Sequence, residues 1–358
     1  MNVINIVDNI KQVNLGVWSA AIATAKDLSR FGVNSEIWAP SSETAPSLDS
    51  CKLRPLSNIK IKDISKKIVK YFDKSDTIII SHGCWKFPTK LGASLQKIGY
   101  KWIAVPQGML EPYCMKHHRI KKLLYYQLLE KHLLLKADLI RAVSTPEQNN
   151  LKQSFHRVQL IPNGIKENKK SPKLWNKPFN FLFLARLHYK KGIVPLVEAW
   201  GKSNLNNAPD YNLIIAGPDN GELEKMKVAI IKAKSNNIIF VGPQYGSEKE
   251  KLLSDSHFYI LPSFSEGFPT SVLEGMQNGL IPLITDGCNF PEAFENSQAI
   301  KISPNIEDII QGLLQVSRFN EEELKIFSNE VVHFVNKNYS LASIAEIQYN
   351  SYKSLLGL

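Results

Sequence analysis

Short apolar runs alternate with helical patterns along the chain, and this alternation constrains its fold more than any other feature. Residues 3–7, 35–39, 77–81, 102–105, 139–143 and 158–161 read as strands in the first half. After Pro162-Asn163-Gly164 comes a stretch, 166–178, rich in Lys, Asn and Pro and without apolar periodicity, which reads as an interdomain linker. The pattern then restarts with strands at 179–184, 211–216, 238–241, 258–261, 281–284 and 299–302, and closes on helices at about 321–336 and 341–356. Strand–helix alternation gives parallel sheets covered by helices on both faces. The expectation is two Rossmann-like, doubly wound α/β domains, 1–172 and 173–339, facing across a cleft with strand ends on both sides, a usual place for a ligand.

The chain's 358 residues suit two domains, and its composition, 44% apolar and 22% charged, is that of a globular protein. Cys51, Cys84, Cys114 and Cys288 form no C-x-x-C pair, so neither a zinc site nor a disulfide framework is expected and a reducing cytoplasm fits. The apolar run at 2–7 has no basic leader, and no later run approaches the roughly 18 apolar residues of a membrane span. Neither a signal peptide nor a transmembrane segment is expected.

Charge is unevenly spread. Residues 1–172 hold 27 Lys and Arg against 13 Asp and Glu, a balance of +14, and the remainder holds 17 against 20, a balance of −3. The first half should therefore meet an anionic partner, nucleic acid or an anionic membrane surface. The segment 116–129, KHHRIKKLLYYQLL, reads as a helix with a cationic start and a broad apolar face. Its Tyr125 and Tyr126 sit among leucines, a pattern closer to an interfacial amphipathic helix than to a base-stacking platform. Core packing with solvated lysines is the plainer reading of the same segment.

Two loops carry the candidate chemistry. After the strand at 179–184, Arg186 and Lys191 stand at a strand's carboxyl end, where a planar guanidinium fork and a mobile ammonium together suit a diphosphate. Solvated surface charge is the alternative for both. After the strand at 258–261 come Glu266, Gly267, Phe268, Pro269 and a helix start bearing Glu274. Glu266 in its tight loop has no evident capping or pairing role. Ser271 and Glu274 have the S-x-x-E spacing of a capping box, while the same helix start would turn the N–H groups of Thr270, Ser271 and Val272 toward an anion.

Taken in order along the chain, these segments resemble the retaining glycosyltransferases of family 4, which have the two-domain GT-B fold. The resemblance covers nearly the whole chain: Leu261 to Phe268 with Glu274-Gly275-Met276, Ala216-Gly217-Pro218-Asp219, Ser81-His82-Gly83-Cys84-Trp85, Pro106 to Pro112 and Ile161-Pro162-Asn163-Gly164-Ile165. It implies an acceptor-binding first domain, joined by the C-terminal helix 340–358, and a donor-binding second domain. In such enzymes the residue matching Glu274 binds the nucleotide's ribose, the one matching Glu266 holds hydroxyls of the donor sugar, and Arg186 and Lys191 bind the diphosphate. Gly267, Phe268, Thr270, Ser271 and Val272 would complete the donor site with Gly16, while backbone groups around Gly217 and Gly242 hold the base; His82, Gln107 and Asn163 would line the acceptor side. No D-x-D-like cluster occurs, and neither metal nor other cofactor is expected.

The resemblance further implies transfer, with retention, from a UDP or GDP sugar to a glycan or lipid-linked acceptor in bacterial surface polysaccharide, O-antigen or capsule synthesis. Such work would place the chain in the cytoplasm at the inner membrane face, without nucleic acid. Same-face attack, with the diphosphate accepting the acceptor's proton, is the expected chemistry, rather than covalent capture by Glu266. Two departures count: Gln107 stands where the family often has His, and Asn14-Leu15-Gly16-Val17 offers a single glycine where the family often has paired ones. They leave open a non-catalytic subunit that binds glycan or nucleotide. A nucleic-acid-binding protein and a sugar-nucleotide epimerase are further alternatives.

Overall fold

The computed structural model describes residues 1–11, 15–40, 50–116, 119–167 and 173–358. It divides into two compact units, Met1–Ile165 with Tyr339–Leu358, and Lys166–Asn338. The first unit runs β1 (Asn2–Ile6), α1 (Leu15–Ile22), α2 (Ala25–Ser29), β2 (Asn34–Pro40), β3 (Lys52–Leu56), α3 (Ile61–Tyr71), β4 (Thr77–His82), α4 (Phe87–Lys97) and β5 (Lys101–Val105). There follow α5 (Pro112–Lys116), α6 (Arg119–Tyr125), a π-helical turn (Tyr126–Glu130), α7 (Lys131–Leu134), β6 (Leu139–Ala142), α8 (Thr145–Lys152) and β7 (Val158–Leu160).

These strands form a seven-stranded sheet in the order β3-β2-β1-β4-β5-β6-β7, every pairing parallel. The chain moves from β1 toward one edge and then, from β3 onward, toward the other. Right-handed crossovers therefore put α3, α4 and the α5–α7 run on one face and α1 and α2 on the opposite face. The order reverses between β1 and β4, the position at which open α/β sheets bind ligands.

The second unit holds β8 (Phe179–Leu184), α9 (Ile193–Lys202), β9 (Tyr211–Ala216), α10 (Leu223–Ala233), β10 (Ile238–Gly242), α11 (Gly246–Asp255) and β11 (Phe258–Leu261). After these come α12 (Thr270–Gln277), β12 (Ile281–Ile284), α13 (Pro291–Glu295), β13 (Ile300–Lys301), α14 (Ile306–Val316) and α15 (Glu321–Tyr339). Its six-stranded parallel sheet has the order β10-β9-β8-β11-β12-β13, with the reversal between β8 and β11. α16 (Leu341–Leu356) belongs to the first unit, where it packs on α2: Phe31 stacks on Tyr349 at 4.7 Å and Thr24 Oγ1 donates to Gln348 Oε1 at 2.7 Å.

The central strands of each sheet are buried on both faces. Phe181 and Phe258, neighbours across β8 and β11, stack at 4.5 Å with Trp200 edge-on at 5.4 Å. Full burial of each such ring contributes roughly 1.5–3 kcal/mol. In the first unit Trp102 lies against Gly92 of α4, where an added Cβ would sit 2.2 Å from the indole nitrogen, and that nitrogen donates to Ser81 Oγ. Only glycine lets α4 reach the sheet there.

The structure departs from the sequence expectations at four places. β3 has no apolar signature because Lys52, Arg54 and Pro55 interrupt its pattern; Arg54 pairs with Glu36 through both oxygens at 3.0 Å, and Pro55 is tolerated on an edge strand. The expected strand 299–302 shrinks to Ile300–Lys301. The expected helix 116–129 is broken by the π turn, and His117 and His118 lie outside the described residues. Of the polar linker, 168–172 also lie outside them, yet Trp175 is buried against Phe179, His257 and Phe258. Lys173 also donates to the Leu253, Ser254 and Ser256 carbonyls, so this end of the linker is part of the second unit.

Candidate functional site

In the second unit the loops after β8 and β11 leave the sheet on either side of its reversal point, and they are fastened together. The Lys190 carbonyl accepts from Phe264 N–H at 2.7 Å and from Ser263 Oγ at 2.9 Å. Gly192, at φ +68°, lies so close that a Cβ would stand 2.1 Å from the Pro262 carbonyl. This fastening puts Lys191 on Glu266: its Nζ donates to Oε1 at 2.6 Å and Oε2 at 2.5 Å, with both side chains largely buried. The Glu266 backbone is held from a third element, its N–H donating to the Gly287 carbonyl and its own carbonyl accepting from Asn289 Nδ2. A Cβ on Gly287 would meet the Ser263 carbonyl at 2.3 Å.

Arg186 is exposed and does not join that pair. Its Nη1 donates to Asn220 Oδ1 at 3.1 Å, in the turn after β9. Between the two cations His188 accepts the Lys190 N–H on Nδ1, and burial, with Arg186, Lys190 and Lys191 nearby, holds its pKa below the usual value. The β8 strand end thus presents a braced guanidinium and an ammonium with one of its three donors left for a ligand.

Glu274 pairs with Lys249 of α11 at 2.6 Å. The capping box does not form: α12 begins at Thr270 with Pro269 as its N-cap, so Ser271 is already inside the helix. Of the expected N–H cradle, Thr270 donates to the Phe268 carbonyl and Val272 to that of Pro269, because the tight Pro269 turn uses them internally. Ser271 instead bonds through its side chain to the buried Tyr259, whose phenol is pushed well above its ordinary pKa by burial. Gly275 admits that ring; its Cβ would be 2.7 Å away. Phe268 lies edge-on to Phe290 at 6.0 Å, beside Gly267 in the loop. Gly217, whose Cβ would stand 1.9 Å from the Ala185 carbonyl, and Gly242 are bonded to each other, N–H to carbonyl, at 2.9 Å.

The first unit's strand ends carry a different set. His82 ends β4, fully buried; Nε2 meets Asn5 Oδ1 at 2.9 Å, and burial, then the Arg141 charge, lowers its pKa to about 3. Gln107 follows β5 in a left-handed conformation, φ +57°, rare for a non-glycine residue and concentrated at functional sites. It accepts from Asn163 Nδ2 at 3.4 Å, and Asn163 accepts in turn from the buried Arg141. Glu147 caps the arrangement by accepting the Gly108 and Val143 N–H groups, and burial raises its pKa to about 7. His82 Nδ1, Gln107 Nε2 and Glu111 Oε1 are buried without a partner among the described residues. Gly16 lies in α1 with open space where a Cβ would go, so no contact there demands glycine; Asn14 of that loop is outside the described residues.

Sequence reasoning did not find Lys249, Asn220, His188, Gly287 or Asn289. Asn220 alone had a signal, its place in the Gly217-Pro218-Asp219 turn. Among the described residues no group of three or more His, Cys, Asp or Glu side chains is placed to hold a metal ion.

Two parallel-sheet units with these strand orders define the GT-B class of glycosyltransferase fold, and solved structures agree. A glycosyltransferase from Rickettsia africae superposes with a TM-score of 0.76 over 99% of this chain and 98% of its own, at 20% identity. Anabaena Alr3699/HepE, solved in complex with UDP and glucose, gives 0.75 over 98% and 99%, at 14% identity. Residues 164–330 match the family Glycosyl transferases group 1. That segment contains Arg186, Lys191, Glu266 and Glu274. Among curated relatives, the gpi3 subunit of phosphatidylinositol N-acetylglucosaminyltransferase from Schizosaccharomyces pombe is 25% identical over 213 residues, 55% of this chain and 44% of the relative. The chain spans about half the length of the curated relatives it matches.

Proposed function

We propose that the chain is a retaining, metal-independent hexosyltransferase that moves a sugar from a nucleotide diphosphate donor to a glycan or lipid-linked acceptor in bacterial surface-polysaccharide synthesis. The observation that carries this is the Lys191–Glu266 pair at the β8/β11 reversal point, inside the matched segment and beside Arg186. A carboxylate that holds an ammonium through both oxygens keeps it from wandering, and fixed charge is what a departing diphosphate requires. As the sugar C1–O bond breaks, its electron pair moves onto the diphosphate oxygen. Lys191 and Arg186 stabilise that charge more in the transition state than in the ground state, which lowers the barrier. The acceptor hydroxyl attacks from the face the diphosphate leaves and passes its proton to the same oxygen.

Glu266 retains lone pairs for the sugar's hydroxyls, and Glu274 suits the ribose. The unpartnered His82, Gln107 and Glu111 atoms are the groups we assign to acceptor contact. UDP in the Anabaena neighbour and the lipid named in the yeast relative favour a UDP sugar and a lipid-linked acceptor. That work places the chain in the cytoplasm, peripheral to the inner membrane face. Nucleotide release from a panel of UDP and GDP sugars, with Glu266→Ala as control, tests the reading. Turnover with one donor, lost in the variant, is expected; tight binding without turnover would make the chain a non-catalytic subunit, and donor conversion without acceptor an epimerase.

A further inference from the structure

The helical layer formed by α3, α4 and the α5–α7 run carries, among the described residues, the first unit's two most exposed large apolar side chains, Ile120 and Leu128. Between α3 and α4 lies a groove of about 590 Å³ lined by Ile61, Val69 and Ile98, by Ser65 and Ser94, and by Lys62, Lys66 and Lys70. The three lysines recur every four residues, so they lie along one side of α3. Ser65 Oγ is buried there without a partner among the described residues. Asp63, the acid of α3, does not line the groove.

α4 packs against α3 on one side and α7 on the other, and beyond it the apolar surface resumes. Ile120 and Leu128 are each 76% exposed, and Leu123 and Leu124 stand open between them. At 100° per residue Ile120, Leu123 and Leu124 share one side of α6, and Leu128 follows in the π-helical turn. Lys121 and Lys136 are exposed alongside, and the only acid between 112 and 137, Glu130, is buried, where it accepts from Trp85 N–H and Thr89 Oγ1. Soluble proteins seldom leave a run of large aliphatics in water. Flanking cations with no exposed acid at 112–137, and a groove lined by three lysines and no acid, select an anionic occupant, and a flat apolar strip selects a bilayer over a polyanion.

We propose that this layer docks on an anionic bilayer, with the α3–α4 groove taking a phospholipid's phosphate on Lys62, Lys66 and Lys70 and its acyl stem on Ile61, Val69 and Ile98, while Ile120 and Leu128 insert beside it. The proposal deepens the lipid-linked reading of the acceptor, but vesicle binding is measured apart from sugar transfer. The full chain should co-sediment with phosphatidylglycerol vesicles and not with phosphatidylcholine vesicles. The Lys62→Gln/Lys66→Gln/Lys70→Gln variant should lower partitioning at least tenfold, since each lysine near such a surface contributes about a factor of five. Ile120→Ser/Leu128→Ser should lower it severalfold. Circular dichroism and nucleotide release with a soluble acceptor should match the parent for both variants, which separates docking from folding and catalysis. Equal binding to both lipids, no binding, or no response to either variant overturns the proposal, as does retention of single-stranded RNA by the same lysines without vesicle binding. A chain that binds vesicles but turns over no donor sinks the transferase reading and leaves the docking face standing.

Discussion

The two sheets share a topology, yet their reversal points hold opposite chemistry. At β8/β11 the side chains are charged and held: Lys191 on Glu266, Lys249 on Glu274, and Arg186 on the neutral amide of Asn220. At β1/β4 and the neighbouring β5 end they are buried and neutral or desolvated, with His82 held uncharged and Gln107 strained. A diphosphate needs fixed charge, whereas sugar hydroxyls need donors and acceptors already stripped of water. The difference teaches that the same strand-end geometry can be specialised by side-chain type together with burial.

The comparison breaks first at Lys191. Lys191→Ala should cut nucleotide release about 10²–10³-fold, the usual cost of removing one preorganised charge donor. It should also lower the unfolding temperature, because Glu266 is left nearly buried without its cation. Lys191→Ala/Glu266→Ala should recover much of that stability and none of the turnover. If the double variant stays as unstable as the single, the pair is not what holds the two loops.

The next effect is one of pH and belongs to the first unit. With its pKa at about 3 in the fold against an ordinary 6.5, His82 binds fewer protons folded than unfolded between those values. Its contribution is present above about pH 6.5 and lost as pH falls toward 3. Glu147 runs the other way: raised from 4.5 to about 7, its contribution is present below about pH 4.5 and lost as pH rises through 7. Thermal unfolding of His82→Asn should therefore decline less than the parent between pH 6.5 and 4. Parallel profiles would mean that His82 is not buried uncharged.

Gln107→Ala tests the neutral side by activity. Losing one uncharged hydrogen-bonding group should lower turnover about tenfold, far less than Lys191→Ala. A loss as large as the lysine variant's would erase the distinction between the two strand ends.

How much of this was legible beforehand follows from burial. Strands buried on both faces read as largely apolar runs, so Phe179–Leu184, Tyr211–Ala216, Phe258–Leu261 and Ile281–Ile284 are legible to the residue even with Asn180 and Asn212 near two of their starts. β3 was hidden because an ion pair, rather than apolar alternation, secures Arg54 at the sheet edge. At the site, strand-end position marked Lys191 and Glu266 individually. Their pairing was invisible because they are 75 residues apart and meet only through the β8–β11 register and two glycines, Gly192 and Gly287, with no room for a Cβ. Ser271 misled as a cap because S-x-x-E spacing does not show that Pro269 starts the helix two residues earlier.

Lys249→Ala should have the smallest effect and sharpens the comparison most finely. The Lys249–Glu274 pair is about 30% exposed on both sides, and pairs of this kind contribute only ~0.2–1 kcal/mol to stability. Unfolding should move by a degree or two. If Glu274 binds ribose, however, Lys249 competes for the same carboxylate and also sets its direction. Removing the lysine frees an acceptor and loosens its aim, two effects on donor binding that oppose each other, while the departing diphosphate is untouched. The expected result is a change of less than about threefold in KM for the donor with kcat unchanged, the pattern of binding that is uniform between ground and transition states. A fall in kcat instead would place Glu274 in the charge-stabilising set with Lys191 and Arg186, and the charged strand end would then act as one unit rather than as separate sugar, phosphate and ribose contacts.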